Sequence, residues 1–81
     1  MKITIRLFAI LRERAGISEL TLDLPPGATV TAASDALVGA HPQLSDLISR
    51  VAFAVNRSYS GATTELHDGD EVALIPPVSG G

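Results

Sequence analysis

The sequence predicts an α+β roll, in which a mixed sheet of four to five strands is covered by one main helix and a short second helix. The first residues alternate between apolar and polar side chains with the period of a strand. A central segment carries apolar residues at a spacing of three to four, which is typical of a helix that packs on a sheet. A continuous apolar run near the C-terminus predicts a strand in the middle of that sheet.

Two strands are predicted in the first third of the chain. From Lys2 to Phe8 the side chains alternate, and Phe8 falls on the polar face. Residues 8–16 lose this period and predict a loop with one helical turn. Leucines alternate with polar residues over 19–24, which predicts a second strand. It ends at Pro25, because proline cannot donate a hydrogen bond to a neighbouring strand.

The main helix is predicted to begin after Thr29, whose hydroxyl can accept a hydrogen bond from a free N–H group of the first turn. Apolar residues recur from Val30 at helical spacing. Pro42 disfavours helical geometry at the residue before it, so the helix ends near residues 39–40. The short second helix is predicted by three apolar residues: Leu44, Leu47 and Ile48.

The remaining strands lie in the last third of the chain. Residues 51–55 alternate and predict a third strand, and Tyr59 marks a very short fourth one. After a turn at 67–70, the segment 71–75 holds four consecutive apolar residues and predicts a strand covered on both faces. With this strand in the middle of the sheet, beside the first, the chain forms a β-grasp-like roll.

The size and composition of the chain exclude several classes of function. The 81 residues are 46% hydrophobic and 19% charged, which predicts one folded domain over 1–75 followed by a flexible tail over 76–81. So small a core argues against a complete solitary enzyme. Nine acidic residues against six scattered basic ones give a net charge of −3 and disfavour nucleic-acid binding. Without cysteine the chain forms no disulfide and no zinc–thiolate site. It shows no signal peptide and no membrane-spanning run, and we expect it in the cytoplasm.

The last six residues form a tail with a chemical signature. They read Pro76-Pro77-Val78-Ser79-Gly80-Gly81. The prolines favour an extended course, and six extended residues reach about 20 Å. Gly80 and Gly81 lack a Cβ and can enter a channel too narrow for a side chain. The terminal carboxylate, with a pKa of about 3.5, is a poor electrophile at neutral pH and needs activation, most simply as an acyl-adenylate. Since the chain has no nucleotide-binding motif, a partner must use the ATP.

This ending, together with residues 68–75 before it, resembles the C-terminal signature of the small subunit of molybdopterin synthase. Val55-Asn56 and residues 8–13 match that family in kind and position as well. The family belongs to the β-grasp, ubiquitin-like superfamily of sulfur carriers. The resemblance implies that Gly81 is adenylated and then converted to a thiocarboxylate, which donates sulfur to cyclic pyranopterin monophosphate in molybdenum cofactor biosynthesis.

The resemblance also implies partners. An adenylyltransferase would activate Gly81, a sulfurtransferase would supply sulfur, and the large synthase subunit would receive the tail in a heterotetramer. This chain would be the sulfur-donating subunit and would bind no cofactor itself. The expected partner-binding residues lie at the tail and its root: Phe8, Ile75, Pro76, Pro77, Val78 and Ser79, with Leu74 divided between this surface and the core.

Other charged residues give weaker signals. Arg12 and Arg14 suit an acidic partner as well as a solvated loop. His41 and His67 lack neighbours at ligand spacing, so no metal site is expected. Three acidic residues near the last strand predict a solvated turn: Asp68, Asp70 and Glu71.

Three other functions remain open. The same tail chemistry would serve a sulfur carrier for thiazole or cysteine biosynthesis. A ubiquitin-like protein modifier would use it too, although Lys2 is the only lysine available for chains of itself. An interaction module with an inert tail is the third alternative.

Overall fold

The computed structural model describes residues 1–77, which form a five-stranded mixed sheet and three α-helices. The elements follow in chain order: β1 Lys2–Leu7, α1 Ala9–Ala15, β2 Glu19–Asp23, α2 Val30–Ala40, a 3-10 turn Pro42–Leu44, α3 Ser45–Ile48, β3 Ala52–Val55, β4 Ser58–Ser60 and β5 Glu71–Ile75. The predicted α+β class and the strands are therefore confirmed.

The strand order is β2-β1-β5-β3-β4, with β5 in the middle. β5 runs parallel to β1, where Ile5 lies opposite Val72, and antiparallel to β3, where Val55 lies opposite Val72. The first and last strands of the described chain are thus direct neighbours, as the apolar run of β5 predicts. β2 and β4 form the two edges of the sheet.

One face of the sheet packs on the helices and forms the core. Alternate residues of β1 and β5 supply the sheet side, and α2 supplies the opposing apolar stripe. The core residues exposed by 1% or less are Ile3, Ile5, Leu7, Leu11, Val30, Ala33, Leu37, Leu44, Leu66, Val72 and Leu74. Leu74 therefore belongs to the core and not to the surface at the root of the tail.

Residues 9–15 form a seven-residue helix, so the predicted loop with a single helical turn is wrong. The fully buried Leu11 holds α1 against the core. Gly16 ends the helix in the left-handed conformation, with φ 77°, and its N–H donates to the Arg12 carbonyl at 2.9 Å. This is an αL C-cap, which glycine adopts without steric cost.

The boundaries of α2 agree with the prediction. The Thr29 hydroxyl accepts a hydrogen bond from the Ala32 N–H at 3.4 Å and caps the first turn. The helix ends at Ala40, two residues before Pro42 begins the 3-10 turn. The short helix α3 follows directly, as predicted from its apolar residues.

The second face of the sheet lacks a covering layer in the part of the chain that the structure describes. Ala73 and Ile75 point to this face and are half-buried, whereas Val72 and Leu74 on the other face are buried. The expectation that β5 is covered on both faces is therefore wrong for residues 1–77. The apolar side chains on the open face instead line a groove. Over the same residues, no helix is both long and apolar enough to cross a membrane.

Candidate functional site

A groove lies on the open face of the sheet, near the root of the tail. It has a volume of about 500 Å³ and is lined by residues from four strands, the α1 cap and the β3–β4 loop. These residues are Arg6, Phe8, Ala54, Arg57, Tyr59, Glu71, Ala73 and Ile75.

A single cross-strand row forms the floor of the groove. Arg6 pairs with Ala73, Ala73 pairs with Ala54, and Ala54 pairs with Tyr59. Residues paired in this way project to the same face of the sheet. The two alanines are small, so the centre of the row is low, and the long side chains of Arg6 and Tyr59 rise at its ends. The register therefore creates the groove.

Three apolar side chains give the groove its hydrophobic character. Phe8 is 38% exposed and lies where β1 ends, in an extended conformation that begins α1. Ile75 is half-buried at the end of β5, and Tyr59 is 76% exposed on β4. Exposed aromatic side chains around an apolar floor are typical of surfaces that bind proteins. Phe8 and Ile75, both predicted as partner-binding residues, thus lie in one groove.

The tail leaves the sheet directly beside this groove. Pro76 is half-buried and Pro77 is exposed, and both follow Ile75 without a break. Because proline has no N–H donor, the β5 pairing cannot continue past Ile75. The predicted residues Val78, Ser79, Gly80 and Gly81 lie outside the described residues.

The charged residues of the groove are two arginines and one glutamate. An Arg6 guanidinium nitrogen lies 3.9 Å from a Glu71 carboxylate oxygen, and the guanidinium carbon lies 5.6 Å from the centre of the Phe8 ring. Arg6 therefore contacts both Glu71 and the Phe8 ring, through an ion pair and a cation–π contact. Arg57 lies in the loop between β3 and β4 and carries the second positive charge.

Asp70 stabilises the turn before β5 and is not solvated as predicted. Its side chain is only 14% exposed. One carboxylate oxygen accepts a hydrogen bond from the Asn56 amide at 2.9 Å, and the other accepts from the His67 N–H at 2.8 Å. These two hydrogen bonds lower the pKa of the Asp70 carboxyl, since both favour its charged form. Asp68 accepts a hydrogen bond from the Lys2 N–H at 2.7 Å.

The other predicted candidates lie away from the groove lining. Arg14 forms two hydrogen bonds to the Asp46 carboxylate, at 2.8 and 2.9 Å, and lowers its pKa. Arg12 is exposed on α1. Among residues 1–77, neither His41 nor His67 belongs to a group of three or more side chains that could hold a metal ion.

The sequence alone did not predict most of the groove floor or the charged residues that line the groove. The signal was the pair of alanines at alternate positions on β3 and β5, because two small residues that face each other across strands leave a depression. That signal becomes readable only when the register of β3 against β5 is known. The missed residues are Arg6, Ala54, Arg57, Tyr59, Glu71 and Ala73. Glu71 was predicted in a solvated turn, but it is the half-buried first residue of β5.

The model of the ThiS family matches residues 5–81. The chain belongs to the ThiS family. The match includes residues 5–7 of β1, all of β5 and the Gly-Gly ending. Together with the strand order of the sheet, it confirms the predicted β-grasp, ubiquitin-like resemblance.

Relatives of this ThiS family member cover its whole length. The molybdopterin synthase sulfur carrier subunit of Chlamydomonas reinhardtii is 41% identical over 83 residues, which cover 100% of both chains. The corresponding subunit of Arabidopsis thaliana is 40% identical and covers 100% of this chain and 84% of the relative. The resemblance to molybdopterin synthase sulfur carriers is therefore confirmed.

A solved structure supports the same fold. The crystal structure of the small archaeal modifier protein SAMP1 from Haloferax volcanii superposes with a TM-score of 0.91 and 38% identity, over 100% of each chain. This ThiS family member is thus similar both to sulfur carriers and to a protein modifier.

Proposed function

We propose that this chain is the sulfur carrier subunit of a molybdopterin synthase. Gly81 is adenylated by a partner adenylyltransferase that uses ATP, and a sulfurtransferase system converts it to a thiocarboxylate. The large synthase subunit binds the tail, and the thiocarboxylate donates its sulfur to cyclic pyranopterin monophosphate. The chain itself is the sulfur donor of a heteromeric sulfurtransferase and does not catalyse the reaction alone.

The proposed cycle at the Gly81 carboxyl group has three steps. The carboxylate of Gly81 attacks the α-phosphate of ATP, which releases pyrophosphate and leaves an acyl-adenylate. Hydrosulfide then attacks the acyl carbon and displaces AMP, which leaves the thiocarboxylate. Where a protein persulfide delivers the sulfur instead, it displaces AMP to form an acyl disulfide, and a second thiol reduces this disulfide to release the thiocarboxylate. The thiocarboxylate sulfur displaces an oxygen leaving group of the pterin precursor and forms a thioester, and water then hydrolyses this thioester, which leaves the sulfur on the pterin and restores the Gly81 carboxylate. The chain needs no cysteine for this cycle, because the sulfur is held only at its terminus.

The observation that carries the proposal is the groove beside the root of the tail. The Phe8 and Ile75 side chains expose apolar surface next to Pro76 and Pro77, where a partner that binds the tail must also contact the sheet. The groove and the tail together form one docking surface, which we call the tail-root surface: the eight groove residues with Pro76 and Pro77. A partner that buries this surface orients the terminus before chemistry occurs.

Intact-mass spectrometry tests the thiocarboxylate. The purified chain is incubated with its activating enzyme, ATP and a sulfide source. We expect a mass increase equal to the difference between a sulfur and an oxygen atom, located at Gly81 by peptide mapping. A variant that lacks Gly80 and Gly81 is the control and gains no mass. An unchanged mass in the full chain, under conditions that thiocarboxylate a known carrier, would contradict the proposal.

A second candidate function is protein modification, because the chain is 38% identical to a small archaeal modifier protein over its full length. The same acyl-adenylate would then be attacked by a lysine amine of a target protein. The two functions differ in their products. Adducts of higher mass that survive denaturation in cell lysate indicate modification, whereas molybdopterin formed with the purified large subunit indicates sulfur transfer.

A further inference from the structure

We propose that Arg57 is a specificity-determining contact of the tail-root surface and pairs with a carboxylate side chain of the large synthase subunit. The inference rests on the proposed function, which supplies the occupant of the groove. It is carried by three features of Arg57: its charge, its backbone conformation and the hydrogen bonds that hold its loop.

The charge of Arg57 is uncompensated within the described part of the chain. Arg6, the other groove arginine, has Glu71 at 3.9 Å, but no ion pair forms between Arg57 and any of residues 1–77. The groove therefore carries excess positive charge on a protein whose net charge is −3. A carboxylate on the partner would complement this charge and would disfavour partners that present a cation there.

The backbone of Arg57 is in a conformation that glycine adopts at less cost. Val55 pairs with Ser58, so Asn56 and Arg57 form a two-residue hairpin loop. Their φ angles are 49° and 72°, and two positive φ values characterise a type I′ turn. Asparagine is common at the first position and glycine at the second. Backbone strain of this kind is concentrated at functional sites, and here it places a long cationic side chain on the groove wall.

The Asn56 side chain holds the loop against β5. The side-chain amide nitrogen donates to Asp70 at 2.9 Å, and the side-chain carbonyl oxygen accepts from the Glu71 N–H at 3.0 Å. The backbone N–H of Asn56 donates to the Glu71 backbone carbonyl at 2.8 Å. Arg57 is therefore attached to a loop that is fixed to the central strand. Because the loop is already fixed, less conformational entropy is lost when it binds a partner, and this favours an ion pair of defined geometry.

The experiment measures binding of the full chain to the purified large subunit from the same organism, by titration calorimetry at low and moderate salt. We expect Arg57→Gly to weaken binding by about tenfold and to reduce the salt dependence of the dissociation constant, since one charge pair is lost. Arg57→Lys retains the charge and most of the affinity. Arg50→Gly is the matched control, because it removes an exposed arginine outside the groove lining.

Thermal unfolding of the same variants separates a binding role from a structural one. Glycine relieves the positive φ, so Arg57→Gly should melt no lower than the wild-type chain. Wild-type affinity in Arg57→Gly, an equal loss in Arg50→Gly, or a much lower melting temperature for Arg57→Gly would each overturn the assignment of Arg57. A wild-type chain that does not bind the large subunit would instead overturn the proposed function, and the inference with it.

Discussion

Leu74 and Ile75 are neighbours on β5 and serve opposite faces of the sheet. Leu74 is 1% exposed in the core, and Ile75 is half-buried in the groove. Because successive residues of a strand point to opposite faces, one peptide unit separates a core residue from a residue that lines the groove.

This pair gives the first prediction. We expect Leu74→Ala to lower the free energy of unfolding by about 2–5 kcal/mol, because it leaves a cavity in the core. Ile75→Ala should lower it less and should weaken binding to the large subunit. Urea unfolding and calorimetric titration measure the two effects. Equal losses of stability in both variants, with unchanged binding in Ile75→Ala, would contradict the assignment of the two faces.

The second prediction concerns the groove floor at Ala73. Ala73→Leu adds apolar volume that projects into the open groove, so the free energy of unfolding should change by no more than about 1 kcal/mol. In the proposed complex the added side chain would occupy space that the large subunit fills, so we expect binding to the large subunit to fall by about tenfold or more. Thr21→Leu is the matched control on the exposed edge strand β2, outside the groove. The prediction fails if both variants bind equally well.

The third prediction concerns Asp70 as the acceptor that joins the turn before β5 to Asn56. Asp70→Asn replaces one of the two carboxylate oxygens with an NH2 group, which cannot accept a hydrogen bond. Either the bond from the His67 N–H or the bond from the Asn56 amide is therefore lost. We expect a loss of about 1–3 kcal/mol in the free energy of unfolding, because a partly buried donor is left without an acceptor. Asp35→Asn on the exposed side of α2 is the control and should change stability by less than about 0.5 kcal/mol. Equal stability of the two variants in urea would remove this role from Asp70.

The fourth prediction is the pH dependence that follows from the lowered pKa of Asp70. The carboxyl has its ordinary, higher pKa in the unfolded chain, so the unfolded state binds more protons in the acid range. The stabilisation that the ionised Asp70 carboxyl provides is therefore fully present at neutral pH. It is lost as the pH falls from the ordinary pKa of aspartate towards the lower pKa of Asp70 in the folded chain. Asp70→Asn should show a shallower loss of stability below about pH 5 in acid–urea unfolding series.

Two exposed carboxyls, Asp23 and Asp46, also have lowered pKa values, so they too make the folded chain less stable as the pH falls. Their contribution has to be separated from that of Asp70. Lys2 lowers the pKa of Asp23, and Arg14 lowers that of Asp46. Both ion pairs are exposed, so added salt screens them more than it affects the hydrogen bonds of Asp70. An acid slope that is the same in the wild-type chain and in Asp70→Asn at moderate salt would refute the fourth prediction.

Most strands and the main helix could be predicted because each of them is indicated by a pattern of adjacent residues. The period of β1, the Thr29 cap and the apolar run of β5 each depend on a few adjacent residues, and the structure confirms all three. Phe8 and Ile75 could also be predicted from local sequence, because Phe8 falls on the polar face of β1 and Ile75 is the last apolar residue before the prolines of the tail.

The rest of the site could not be predicted because it depends on pairing between distant segments. Ala54 and Ala73 are unremarkable as single residues and form a floor only in the register of β3 against β5. Asp70 looked like a solvated turn residue, because nothing in its own segment reveals that Asn56 lies within hydrogen-bond distance. The short helix α1 was missed because one tertiary contact, the burial of Leu11, decides its stability.

The parallel pairing of β1 with β5 also bears on how the protein matures during synthesis. A ribosome produces β1 first, but β1 must wait for residues 71–75 before its second neighbour exists. Until then β1–β2 and β3–β4 are separate hairpins, and isolated two-stranded hairpins are marginally stable in water. A prematurely terminated product therefore lacks both the strand that closes the sheet and the terminus beyond it.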